Sequence, residues 1–207
     1  MGTEELPGRA APHEPVRRLF LALWPDESMR QAMVRATREA VRTSGGRPVP
    51  AANLHVTLSF LGSVPERRLP ELAEVARAAA GPQGSVMSDP EAAGQPLELA
   101  FDRLEFWRAA RLLCAVPAEA PAPVGVLARK LQDLLVARGF APDLKPFRPH
   151  VTVARKVERP GVADKMHPVV WRFTEPALIE SRTLPEGAVY SAVQGGSISL
   201  SEHVRSR

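Results

Sequence analysis

Two four-residue words, His55-Val56-Thr57-Leu58 and His150-Val151-Thr152-Val153, are nearly the same and stand in the two halves of a 207-residue chain that holds only five histidines. In random order this composition yields roughly 0.03 words of the form His-apolar-Thr-apolar, so two of them point to related half-structures. The pattern constrains the fold directly. In an extended strand successive side chains face opposite ways, so His55 and Thr57 share one face while Val56 and Leu58 share the other. The same holds for His150 with Thr152 against Val151 with Val153. A chain that carries this pattern twice has two apolar strand faces to bury against helices and two polar faces to leave on a cleft. Imidazole titrates near neutrality, so one ring can be neutral while the other is protonated. That pairing suits general base and general acid catalysis of phosphoryl transfer without a metal.

Composition bounds the partners. With 44% hydrophobic residues the chain can bury a core, as one domain or two fused lobes. A net charge of +4 permits an anionic partner such as RNA. Aromatic residues make up only 5%, without basic-aromatic interleaving, so nucleic-acid contact is expected at a local site rather than along a groove. Cys114, the single cysteine, sits in an apolar run and reads as a buried small hydrophobe. No stretch approaches the length of a membrane span and the N-terminus has no signal-peptide core, so no membrane association and a cytoplasmic location are expected.

Residues 1–16, rich in Pro, Gly, Ala and Glu, read as a disordered tail, and residues 17–207 as a single bilobal domain. A strand is predicted over 17–24. Helix-start chemistry at Pro25 and Asp26 follows, with a helix to about 42. The first motif strand is expected over 53–61. A second helix, starting near 65 or 70, reaches 80 with Leu69, Leu72, Val75 and Ala79 on one face. Residues 81–96 read as a connection. Residues 97–107 and 111–116 form a hairpin, and a third helix over 123–138 turns Val124, Leu127, Leu131, Leu134 and Leu135 inward before Gly139. The second motif strand is expected over 148–156, with further strands over 171–182 and 188–200. The order strand, helix, motif strand occurs twice. The predicted fold is therefore α+β, with two pseudo-symmetric lobes of antiparallel-rich sheets flanked by helices around a central cleft. The motif strands are expected at the centres of their sheets.

These residues resemble the 2H phosphoesterase superfamily, and within it the bacterial and archaeal RNA 2′,3′-cyclic phosphodiesterases first described as 2′-5′ RNA ligases. The resemblance rests on the two motifs with their flanks, residues 53–62 and 147–155, on the run 18–23, and on residues 180–184 with Gly187 and Tyr190. It implies hydrolysis of an RNA end or nucleotide carrying a 2′,3′-cyclic phosphate to a 2′-phosphate, with no metal or cofactor; a monomer is expected. Carried onto this chain, His55 and His150 are the catalytic pair, and Thr57 and Thr152 donate to the non-bridging phosphate oxygens. His150 is assigned as the base and His55 as the acid, although the symmetry of the cleft leaves the reverse open. Arg155 matches the basic residue after the second motif. Its odd offset from His150 turns it away from the cleft in a regular strand, so it needs a twist or bulge after Thr152 to reach phosphate. Arg148, which has the correct parity, Lys145 and Lys156 are substitutes. Phe147 and Tyr190 are candidates for substrate contact or for packing.

A zinc site is not supported, because neither motif has a third ligand beside it. A serine or cysteine nucleophile lacks its sequence context. The alternatives are a 2′-5′ RNA ligase, a phosphodiesterase for small cyclic nucleotides, or a non-catalytic nucleotide- or RNA-binding module. His13, His167 and His203 have no partner motif and no assigned role.

Overall fold

Alternation of apolar residues, interrupted by proline and glycine, divides the described residues into strands separated by three α-helices. The computed structural model describes residues 14–80, 96–143, 145–158, 165–185 and 187–193. In order the elements are β1 (Val16–Leu23), α1 (Glu27–Thr43), β2 (Arg47–Pro48), β3 (Val56–Pro65), α2 (Leu69–Ala80), β4 (Leu97–Trp107), β5 (Leu112–Val116), α3 (Ala122–Ala137), β6 (Val151–Arg155), β7 (Lys165–Phe173), β8 (Ala177–Leu184) and β9 (Gly187–Ala192). One sheet runs β3-β1-β8-β9 and the other β2-β6-β5-β4-β7. Every pairing in both is antiparallel. The fold is α+β, with two sheets related by approximate two-fold symmetry, as the repeated element order predicts.

The helices begin where the sequence says they should. The Asp26 carboxylate accepts from the Met29 N–H at 2.8 Å and caps α1. Helix α2 buries Leu72, Val75, Ala76, Ala79 and Ala80. Helix α3 buries Val124, Leu127, Leu131 and Leu135, with Leu134 half-buried. Beyond it Gly139 turns back at φ +70°, and the Phe140 N–H returns to the Leu135 carbonyl at 3.0 Å.

The two halves exchange helices. Helix α1 leaves the first sheet and packs against β6 and β7 of the second. Helix α3 leaves the second sheet and packs against β3 of the first, beside α2. Each returning segment then lies along the outer edge of a motif strand. The Val49 N–H donates to the Val153 carbonyl at 2.9 Å, and the Asp143 N–H donates to the Phe60 carbonyl at 3.3 Å. These contacts cover strand edges that would otherwise be open to pairing. A contiguous core joins the halves, including Leu19, Leu21 and Leu23 of β1, Leu127 and Leu131 of α3, and Leu99, Phe101 and Trp171 of the second sheet. The Trp171 indole N–H donates to the Met29 carbonyl at 3.0 Å and ties α1 to β7.

Three expectations need correction. The motif strands are not central: β3 is an edge strand, and only the two-residue β2 lies outside β6. The central places go to β1 and β5, whose runs Leu19–Leu23 and Leu113–Val116 are buried throughout. A strand with one polar face is better placed at the rim between sheets, where that face meets a cleft. The strand expected over 171–182 is two strands in different sheets, broken by the bend at Thr174 and Glu175 and by Pro176. Strand β7 also contains Pro168, whose missing N–H is tolerated because β7 is an edge. The order of the chain begins before residue 17, since the Pro15 carbonyl accepts from the Glu66 N–H at 3.0 Å and Glu14 pairs with Arg67.

The expected tail up to residue 13, the connection over 81–95 and the end of the last strand beyond 193 lie outside the described residues. Strand β2 was not foreseen, because two residues carry no periodicity. Gly46 admits it: a Cβ there would lie 3.0 Å from the Arg155 carbonyl oxygen and 2.8 Å from Val157 Cγ2. Among the described residues no helix is long and apolar enough to cross a membrane.

Candidate active site

Each motif histidine immediately precedes its strand and is oriented by the backbone two residues earlier. The His55 Nδ1 donates to the Asn53 carbonyl at 2.7 Å, and the His150 Nδ1 to the Arg148 carbonyl at 2.8 Å. A carbonyl only accepts, so the proton sits on Nδ1 and Nε2 is the chemically available nitrogen in both rings. The His55 Nε2 lies 3.0 Å from the Thr57 hydroxyl, which donates to the neutral ring. Asn53 also clasps β9: its side-chain amide donates to the Ala188 carbonyl at 2.7 Å.

Both motif strands bulge at the same point. Against β1, Ala22 faces Thr57 and Leu21 faces Ser59, so Leu58 is extra. Against β5, Cys114 faces Thr152 and Leu113 faces Ala154, so Val153 is extra. The five residues from Val56 and from Val151 share one burial sequence: buried, half-buried, buried, buried, exposed. A bulge reverses strand parity beyond it. Arg155 therefore returns to the cleft face, which removes the geometric difficulty the regular strand presented. Phe60 occupies the matching place in the first half and is 55% exposed.

These features open onto a cavity of about 750 Å³ between the sheets. All eight residues predicted for the site line it: His55, Thr57, Phe147, Arg148, His150, Thr152, Arg155 and Tyr190. Lys145 lines it as well and is engaged with Asp143 at 3.0 Å, whereas Lys156 does not. Tyr190 stands edge-on to His55, with ring centroids 5.3 Å apart, and also packs on Phe20 at 5.2 Å. It therefore holds the imidazole as well as lining the cavity. Phe147 is partly buried against the core. Cys114 is buried behind Thr152, and desolvation pushes its thiol up to about 12, so it is no nucleophile. Among the described residues no three His, Cys, Asp or Glu side chains converge as metal ligands.

Sequence reasoning missed the indoles behind the imidazoles. Trp24 lies 5.9 Å from His55 and Trp107 lies 4.3 Å from His150, between ring centroids. Each is in turn covered by a guanidinium, Arg30 over Trp24 at 4.9 Å and Arg148 over Trp107 at 5.2 Å. Only tertiary packing brings these residues together, so no local signal marks them. Phe60 was legible, because it follows His55 at the offset at which Arg155 follows His150.

Burial dominates the titration of both rings. Desolvation lowers His55 to about 4, helped by the positive potential of His150, Arg155 and Arg30. Desolvation also lowers His150, where Arg148 acts in the same direction and Glu105 opposes it. Both rings are neutral in the ligand-free site at neutral pH. An anion in this cavity favours the protonated form of a ring beside it.

The fold and this cleft define a bilobal protein with a duplicated His-x-Thr site. The chain belongs to the 2′-5′ RNA ligase superfamily, whose family model matches residues 24–184. It is 30% identical over 194 residues to an RNA 2′,3′-cyclic phosphodiesterase of Thermus thermophilus, covering 91% of this chain and 93% of that protein. The RNA 2′,3′-cyclic phosphodiesterase of Escherichia coli K12 is 28% identical over 139 residues, 67% of this chain and 72% of that protein. Among solved structures, a Thermus thermophilus protein superposes with a TM-score of 0.67 at 29% identity, covering 86% of this chain and 95% of that one. Escherichia coli LigT complexed with 3′-AMP superposes at 0.71 with 23% identity, covering 87% and 97%. That last likeness is one of fold.

Proposed function

We propose that this protein hydrolyses the 2′,3′-cyclic phosphate at RNA ends or on nucleotides to a 2′-phosphate, using two imidazoles and no metal. The observation that carries the proposal is that His55, Thr57, His150 and Thr152 line one cavity, with each ring's Nδ1 already committed to a carbonyl. One neutral imidazole takes a proton from water as the water oxygen bonds to phosphorus. The other, protonated, gives its proton to the 3′-oxygen as the bond from phosphorus to that oxygen breaks. Thr57 and Thr152 donate to the non-bridging oxygens, and Arg155 offsets their charge. The relatives named as RNA 2′,3′-cyclic phosphodiesterases, and the LigT complex with 3′-AMP, support a ligand of this kind.

A pure binding module needs phosphate donors but no pair of imidazoles on one cavity, so catalysis is favoured over binding alone. Run backwards, the same chemistry joins RNA ends, which fits the family's description. The test is incubation of an oligoribonucleotide ending in a 2′,3′-cyclic phosphate in EDTA, with product analysis. Accumulation of a 2′-monophosphate end is expected. Binding without turnover, or loss of turnover on chelation, would overturn the proposal.

A further inference from the structure

The two sheets do not reach equally far past the reacting groups. Ala22 of β1 faces Thr57 and Cys114 of β5 faces Thr152, so these two rungs correspond. Four residues before Cys114 the second sheet has already ended: its last β4–β5 pair is Trp107 with Leu112, and Ala110 lies in the turn between them. Four residues before Ala22 the first sheet continues, with Arg18 still paired to Ser63 of β3. Strand β8, the other neighbour of β1, runs on through Ser181, opposite Tyr190, and Thr183, opposite Ala188. Arg18, Gly62, Ser181, Thr183 and Ala188 all line the cavity, and they form a shelf that the second sheet lacks. A Cβ on Gly62 would meet nothing within 4 Å, so there is open space beside it.

The charges on the cavity wall single out one group of this shelf. Four lysine and arginine side chains line the cavity: Arg18, Lys145, Arg148 and Arg155. Lys145 is engaged with Asp143, and Arg148 with Glu105. Arg155 and Arg18 have no carboxylate partner among the described residues, and the Ser181 and Thr183 hydroxyls have no hydrogen-bond partner there. The adjacent Arg17 is spent differently, on Glu66 and Glu180. Arg18 stands four residues from Ala22, about 13 Å along the strand. Its own side chain covers part of that span, and the remainder matches the step from one phosphate of a nucleic-acid strand to the next. We infer that Arg18, with the Ser181 and Thr183 hydroxyls, holds the phosphodiester on the 5′ side of the terminal nucleotide, so that the cleft takes the end of an RNA chain in preference to a free nucleoside 2′,3′-cyclic phosphate. This rests on the hydrolysis proposed above and adds the path of the chain, which leaves over the first sheet, where the second stops at its β4–β5 turn. A guanidinium offers a phosphodiester two parallel donors and a permanent charge. The contact is to backbone, so it selects for a chain and not for a base.

The test compares two dinucleotides that end in a 2′,3′-cyclic phosphate and carry a 2′-deoxy upstream sugar. One has an ordinary phosphodiester at the internal linkage, the other an uncharged methylphosphonate. The wild-type protein should show a kcat/KM about 10–100-fold higher on the charged linkage, the worth of a hydrogen bond between charged groups. Arg18→Gln should bring that ratio close to one, and Arg18→Lys, which keeps the charge, should keep much of it. Arg17→Met, next to it on β1, should keep the ratio whole. On the charged linkage Arg18→Gln should also make the slope of log kcat/KM against log salt shallower by about 0.7, the loss of one phosphate contact. A structural role for Arg18 would lower both substrates alike and leave the ratio where it was. Equal rates on the two linkages in the wild-type protein, or a ratio unmoved by Arg18→Gln, overturns the inference. If the wild-type protein turns over neither dinucleotide, the proposed hydrolysis fails. The corresponding dinucleotide 2′-monophosphates, charged and neutral, then judge the subsite by affinity: tighter binding of the charged one by the wild-type protein supports it, and equal affinities overturn it.

Discussion

Among the described residues, three aromatic rings surround His55, those of Phe20, Trp24 and Tyr190, and one lies beside His150, that of Trp107, with Glu105 and Arg148 behind it. The backbones of the two halves nevertheless agree closely. Each histidine bonds the carbonyl two residues before it, each strand bulges one residue after its threonine, and each indole is covered by a guanidinium. Symmetry of scaffold fixes where the four polar groups point. The side chains around those groups do not share that symmetry. The bulge positions show the same division: Phe60 presents a ring to the cleft where Arg155 presents a charge.

The comparison can be broken most sharply at the imidazoles. If both halves take part, His55→Ala and His150→Ala each lower kcat/KM on a cyclic-phosphate RNA end by about 10²–10⁴-fold, and the double variant loses little more. Retained activity in one of them would leave a single working half. The next effect is on stability. The His55 ring has an ordinary value of 6.5 and about 4 in the fold, so the unfolded chain binds the proton first. Stability should fall as pH drops from 6.5 towards 4, by about 3 kcal/mol from this ring. Urea midpoints for wild type and His55→Phe at pH 7 and pH 4.5 check this, and equal pH slopes in the two proteins would refute it.

Smaller effects sharpen the likeness between the halves. Thr57→Val and Thr152→Val should each cost roughly 10–100-fold in kcat/KM, the worth of a hydrogen bond to a charged oxygen. A loss confined to one threonine would mean that only one hydroxyl meets the phosphate. At the bulges, Arg155→Met should raise KM by about 10-fold and flatten its salt dependence, whereas Phe60→Leu should leave the salt dependence intact. Salt titration of KM for both variants distinguishes charge from shape at equivalent places.

Much of the site was legible because its signal is local. Histidine and threonine two apart on a strand must share a face, and writing this twice implies two strands around one opening. The helices were legible for the same reason, with Asp26 capping α1 and apolar residues of α2 and α3 recurring on one face. What escaped depends on contacts between distant segments. The outer placement of β3 and β6 reflects competition with the buried apolar runs Leu19–Leu23 of β1 and Leu113–Val116 of β5, which the motif residues alone do not reveal. The bulges at Leu58 and Val153 each add one residue, so Ser59 and Ala154 are buried and Phe60 and Arg155 reach the cleft, a change of parity that strict alternation along a strand does not reveal. Glu105 and Trp107 lie far along the chain from His150, and Arg30 and Trp24 lie well before His55; only the closed sheets bring them into stacks.

The most direct measurement is the structure of the protein crystallised with a nucleoside 2′-monophosphate, the product of the proposed reaction. The Nε2 atoms of His55 and His150 should both lie within about 3 Å of oxygens around the same phosphorus site, with the Thr57 and Thr152 hydroxyls on the remaining oxygens. A phosphate held by one imidazole alone, or seated outside the cleft, would contradict the convergence on which the proposed chemistry depends.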